Sequence, residues 1–178
     1  MKTIIFNDDN LQENQIEDTV LKARAVIIND KHEILLSQCA GFYLFPGGKL
    51  SENECAEEGL IREIKEETGI SPEKNMIKPL VRIKHIIKHY PKRHEDNAFG
   101  NRENITDYYL VQTNQNVDKT EMDLTEYEKK GGFKTIKVKI EEIPTLIGNL
   151  SGDIRSRCYA REISAIVSEI KKLKNIII

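Results

Sequence analysis

At 178 residues with 39% hydrophobic side chains, the chain is long enough to bury a core without disulfide staples, and it reads as one domain. A formal net charge of −2 and a pI near 6.1 argue against a general nucleic-acid binder, whose footprint is a basic surface. Cys39, Cys55 and Cys158 show no Cys-x-x-Cys spacing, the first residues form no signal-peptide core, and no stretch approaches the roughly 18 apolar residues of a membrane span, so a cytoplasmic protein with reduced thiols is expected.

In chain order, Thr3 to Phe6 predicts a short strand, and Val20 to Ile28, rich in β-branched residues, predicts a firmer one. Asn29 to His32 reads as a hairpin turn leading into a strand over Ile34 to Gln38. Tyr43 to Lys49 reads as the end of a strand running into a tight loop, where Gly47 and Gly48 let the backbone approach a ligand or metal closely.

A helix is expected from Ser51, because Ser51 with Glu54 three residues on has the pattern of a capping box. Ala56, Leu60, Ile61 and Ile64 form its apolar stripe, with Glu63, Glu66 and Glu67 clustered beside it, and Gly69 closes it. Gly59, mid-helix, reads equally as a close-packing position on the metal side of the helix or as a tolerated defect, with no catalytic role. Like-charged neighbours on one helical face cost a few tenths of a kcal/mol per pair, so a positive group belongs between these carboxylates. A hard divalent cation such as Mg²⁺, which bridges carboxylates to phosphates, meets that need.

Strands are expected near Leu80 to Tyr90 and Thr106 to Thr113. Between them Pro91 to Ile105 reads as a long polar loop and the candidate for substrate selection, with His94, Phe99 and Glu103 as candidate contacts. By alternation His85 and His89 share a strand face, where hydrogen-bonded histidines are the common outcome. Asp123 to Lys130 offers Glu126 and Glu128 ahead of a Gly131-Gly132 turn. A late strand over Phe133 to Val138 and a short helix over Glu141 to Ile147 follow, with Pro144 in the helix's first turn. A last helix over Arg157 to Lys174 is predicted by the helical spacing of Tyr159, Ile163, Ile166, Ile170 and Leu173, a core stripe.

From Gly48 to Ile70 the chain resembles the Nudix box, which asks for glycine, five residues, glutamate, seven residues, Arg-Glu-aliphatic, one residue, Glu-Glu, one residue and Gly-aliphatic. Gly48, Glu54, Arg62, Glu63, Ile64, Glu66, Glu67, Gly69 and Ile70 meet every specified position. The resemblance implies an α/β/α sandwich with a mixed β-sheet, one domain over 1–178 with its core at about 20–174. It implies Mg²⁺-dependent hydrolysis of the pyrophosphate bond in a nucleoside diphosphate linked to another moiety, with Mn²⁺ able to substitute. Glu63, Glu66 and Glu67 are then the metal ligands and catalytic groups, joined by the carbonyl of Gly48, while Arg62 orients the glutamates and Glu54 and Gly69 are structural. Many relatives add a glutamate from a later loop as ligand or base, and Glu128 is the preferred candidate here. The expected partner is a nucleotide-type small molecule, with no nucleic acid and no membrane, and a homodimer stays open because family members are often dimers. Two alternatives remain. One is an isomerase of isopentenyl diphosphate, disfavoured because its additional cysteine and histidine metal-site pattern is not evident. The other is a non-catalytic nucleotide-sensing domain, a class that usually loses box carboxylates where this chain keeps them all.

Overall fold

A computed structural model describes residues 1–92, 98–148 and 153–177, the last four of these by backbone alone. In chain order the elements are β1 (Lys2–Phe6), β2 (Asp18–Ile28), β3 (Glu33–Cys39), β4 (Phe42–Leu44), β5 (Gly47–Lys49), α1 (Ala56–Thr68), β6 (Ile77–Pro91), β7 (Phe99–Gln112), α2 (Glu126–Lys130), β8 (Lys134–Lys139), α3 (Ile143–Gly148) and α4 (Ile154–Ile177). Among the described residues the strands form one eight-stranded sheet in the order β1-β6-β7-β2-β3-β4, with β5 paired to β2 and β8 to β3. The sheet is mixed: β1 runs parallel to β6 and β2 parallel to β7, while the other pairs are antiparallel.

Alternation along β2 sends side chains to two cores. Ala23, Ala25 and Ile27 face α1, where Leu60 and Ile64 are fully buried as the helical stripe requires. Val26 and Ile28 face the opposite layer, where Ile163, Ile166 and Ile170 of α4 pack with Ile143 and Ile147 of α3. Each such aliphatic side chain contributes about 1.5–3 kcal/mol of burial. The result is the expected three-layer sandwich, and no helix among the described residues is long and apolar enough to cross a membrane.

One edge of β2 is divided between two partners. Lys22 to Arg24 pair with β5, whereas only Ile27 and Ile28 pair with β3. The sheet therefore opens beside Ala25, whose N–H donates to the carbonyl of Pro46 at 2.8 Å. That opening holds the Phe45–Gly47 loop against the middle of the sheet.

The long loop expected over Pro91 to Ile105 is mostly strand. β7 begins at Phe99 and pairs with β2 on one side and β6 on the other. Its polar run lacks apolar alternation, but pairing on both edges satisfies the backbone, and Arg102–Asp18 at 2.6 Å and Lys84–Glu103 at 3.3 Å pair the side chains. Phe99 and Glu103 are thus strand residues, and His94 lies outside the described residues. His85 and His89 do not share a face either. A register shift between Ile87 and Tyr90, with His89 at φ +53°, breaks the alternation.

His85 is buried beneath α4, with Nδ1 3.2 Å from Glu162 Oε1, and the Tyr108 hydroxyl donates to Glu162 Oε2 at 2.5 Å. Burial pushes the Glu162 carboxyl up, but the His85 hydrogen bond, the Lys22 charge and the Tyr108 hydroxyl outweigh it and hold the group below its ordinary 4.5. A carboxylate depressed in the folded state adds stability above the unfolded value and loses it as pH falls through the folded one. Glu162→Gln is therefore expected to melt below wild type at neutral pH, with the two melting temperatures converging as pH falls below the ordinary carboxylate value of 4.5 and through the lower folded one. Thermal melts of both proteins across that range check this, and a constant offset would refute the linkage.

Candidate functional site

Helix α1 starts later than the capping-box pattern suggested. Ser51 and Glu54 instead close a turn ahead of it, with the Ser51 N–H donating to Glu54 Oε2 at 2.8 Å, and Cys55 is the N-cap residue, with no side-chain bond of its own. The reason is that the Glu54 carboxylate serves Arg62 as well. Arg62 Nε donates to Oε1 at 2.8 Å and Nη2 to Oε2 at 3.0 Å, a bidentate pair that holds the Glu54 carboxyl down at about 2. Gly59 is the close-packing position, since a Cβ there would stand 2.5 Å from Leu50 Cδ2 and 2.8 Å from Glu54 Oε2. At the far end Gly69 is left-handed at φ +71°, and a Cβ would meet the Asp118 carbonyl at 2.3 Å.

The positive group expected between the carboxylates is, in this structure, Arg62. Its Nη1 donates to Glu63 Oε1 at 2.9 Å and to Glu66 Oε2 at 3.0 Å. Glu63 also lies against Gly48, where a Cβ would fall 2.3 Å from Glu63 Oε2, so only glycine lets that carboxylate approach the loop. Burial raises the Glu63 carboxyl above its ordinary value despite Arg62.

Glu67 reaches the same loop one residue earlier, at the opening of the sheet. Its Oε2 accepts from the Gly47 N–H at 3.0 Å and from Ser37 Oγ at 3.3 Å, and the residue is 4% exposed. Burial drives its carboxyl up to about 8, against the pull of Arg24 and the Gly47 amide.

Glu128 sits on α2, where a loop residue was expected. Its Oε2 accepts from the N–H and the hydroxyl of Thr125, both at 2.7 Å, which caps the helix, and its charge still reaches Glu67. Glu126 is exposed beside Lys129 at 3.6 Å. Phe99 and Glu103 belong to the β6–β7 hairpin and are not joined to the box by any hydrogen bond or ion pair among the described residues. Arg24 and Ser37, which bond to the loop and to Glu67 respectively, are the neighbours of the box that sequence reading missed. For Arg24 a signal exists: a charge at an inward position of the apolar run ARAVII.

Glu63 lies against Gly48 and shares Arg62 with Glu66, and Glu67 accepts from the neighbouring Gly47 N–H, but the carboxylates do not converge. Among the described residues no three His, Cys, Asp or Glu side chains close on a common point. The donor set still fits a hard divalent cation, because every candidate atom is oxygen and the glycine leaves room beside Glu63.

A family model described as NUDIX domain matches residues 18–153. The 8-oxo-dGTP diphosphatase of Proteus vulgaris is 46% identical over a stretch covering 28% of this chain and 51% of that relative, so the chain spans about half the relative's length. Among solved structures, the MutT protein of Methanosarcina mazei Go1 superposes with a TM-score of 0.54 at 20% identity, covering 83% of this chain and 94% of that one. An Ap4A hydrolase of C. elegans superposes with a TM-score of 0.55 at 14% identity, covering 88% and 98%. At those identities the likeness shows the fold.

Proposed function

This chain belongs to the NUDIX domain family, and from that premise we propose that it is a Mg²⁺-dependent pyrophosphohydrolase cleaving a nucleoside diphosphate linked to another group. Nucleoside triphosphates with an oxidised base are the first class to test, because the local 46% identity is to an enzyme of that name. The observation that carries the reading is the acidic edge of α1, where Glu63 and Glu66 share one nitrogen of Arg62 beside a glycine that admits the Glu63 carboxylate.

Nudix hydrolases generally use divalent metals. Glu63, Glu66, Glu67 and the Gly48 carbonyl would hold Mg²⁺ here, and the cation when bound neutralises charge on the bridging oxygens and acidifies an attacking water. The chain's own residues prepare this. Glu54 anchors Arg62 through Nε and Nη2, so Glu63 and Glu66 are tied by Nη1 alone and are free to turn to a cation. Glu67, with its carboxyl up at about 8, would have to be deprotonated to hold the cation, so cation affinity would rise with pH towards that value. Glu128 remains the further acid of the proposal, since its charge reaches Glu67.

The test is a turnover screen with Mg²⁺ over nucleoside triphosphates, oxidised triphosphates, nucleotide sugars and dinucleoside polyphosphates, with products identified by mass. The expected result is phosphorylated products from pyrophosphate cleavage, falling more than about 100-fold in excess EDTA. No turnover of any compound, or turnover indifferent to EDTA, would overturn the reading.

A further inference from the structure

Arg24 sits in the middle of β2, 4% exposed, where its neighbours Ala23, Ala25 and Val26 are fully buried apolar residues. Burying a guanidinium costs several kcal/mol unless its hydrogen bonds and charge are answered, and a core strand gains nothing from one. What answers this one is the site loop. Nη1 donates to the Phe45 carbonyl at 2.5 Å and to the Gly47 carbonyl at 2.7 Å. Between those two residues the carbonyl of Pro46 accepts from Ala25 N–H at 2.8 Å.

Gly47 is thus held at both of its backbone groups, with its carbonyl on Arg24 and its N–H on Glu67. The loop lies directly on β2, for Gly47 adopts φ +128° and a Cβ there would stand 2.3 Å from the Ala23 carbonyl. Tyr159 of α4 covers the guanidinium with its ring centroid 5.5 Å from Cζ and stacks on Phe42 at 5.2 Å. Among the described residues Arg24 Nε has no hydrogen-bond partner. The cation is therefore sealed in for the sake of two carbonyls, not for a full set of its own bonds.

We infer that Arg24 is a positioning residue of the site: by clamping the Phe45 and Gly47 carbonyls it sets the direction of the next residue, Gly48, and the seat of Glu67, and so sets the affinity for the divalent cation. This rests on the function proposed above. A methionine fills similar volume but donates nothing, and a lysine keeps the charge while losing the planar fork.

The experiment measures Mn²⁺ affinity of the whole chain by the electron paramagnetic resonance signal of the free ion, with Mg²⁺ dependence of turnover alongside, for wild type, Arg24→Met and Arg24→Lys. The expected result is a cooperatively melting Arg24→Met protein with Mn²⁺ affinity reduced about 10- to 100-fold, and Arg24→Lys between it and wild type. The Mg²⁺ concentration for half-maximal rate moves in the same order. Should Arg24→Met fail to fold, Arg24→Lys decides alone, and an unchanged Mn²⁺ affinity in it refutes the inference. Unchanged affinity in a folded Arg24→Met does the same, since a merely structural role would move the melting temperature and leave ion binding intact. A wild-type protein that binds no Mn²⁺ and hydrolyses nothing fells the proposed function and this inference together, whereas wild-type binding with unaltered variants fells this inference alone.

Discussion

Glu67→Gln is expected to lower kcat/KM by about 10³-fold or more, equivalent to about 4 kcal/mol of transition-state stabilisation, without loss of the fold. The substitution keeps the shape, and the amide oxygen still accepts from the Gly47 N–H that now binds Glu67 Oε2 at 3.0 Å. What disappears is the negative charge available to a cation. Because burial raises this carboxyl to about 8, far above its unfolded value, the group opposes folding at neutral pH and a neutral amide does not, so the variant should melt at or above the wild-type temperature when metal is chelated. Thermal melts with and without Mg²⁺, run beside the turnover assay, read both effects. Undiminished turnover would remove Glu67 from the site, and a large fall in melting temperature would make its role structural.

Gly47→Ala should cost at least about 3 kcal/mol and take activity with it. Two independent penalties meet at this position. The backbone stands at φ +128°, a region L side chains rarely adopt, and the new Cβ would fall 2.3 Å from the Ala23 carbonyl and 2.7 Å from Arg24 Cα. Both neighbours are backbone atoms of a strand paired on each side, so neither can yield cheaply. Gly132→Ala separates the two penalties. Gly132 is also left-handed, at φ +65°, but a Cβ there meets nothing within 4 Å, so only the conformational cost of about 1 kcal/mol remains. Urea unfolding of the two variants measures the difference, and equal midpoints would show that the loop is not pressed onto β2.

Much of this was legible in the chain. The spacing from Gly48 to Ile70 located the helix, its buried stripe through Leu60 and Ile64, and its left-handed end at Gly69, because each depends on neighbours within a turn or two. The α4 stripe was legible for the same reason. The first half of β7 was not, since Asn101 to Asn104 become strand by pairing with β6 across a hairpin and with β2, which is remote in sequence. Similarly, Ser51 and Glu54 have the local pattern of a helix start, but the Glu54 carboxylate is shared with Arg62 eight residues on. Glu128 and Arg24 show the same limit from the other side: what a polar side chain serves is decided by which backbone the fold brings to it.

The two parallel pairings have a further consequence, for the order in which the chain acquires its shape. Lys2 lies beside Val81, and Asp18 beside Arg102, so each ladder closes only after a large part of the chain exists. Until β7 arrives, one whole edge of β2 offers unanswered amides and carbonyls while β5 hangs on the other. Such distant closures are slow and leave sticky intermediates. On the ribosome, β2 and α1 therefore emerge well before β7 completes the ladder beside them, and that interval is when the nascent protein most needs a chaperone.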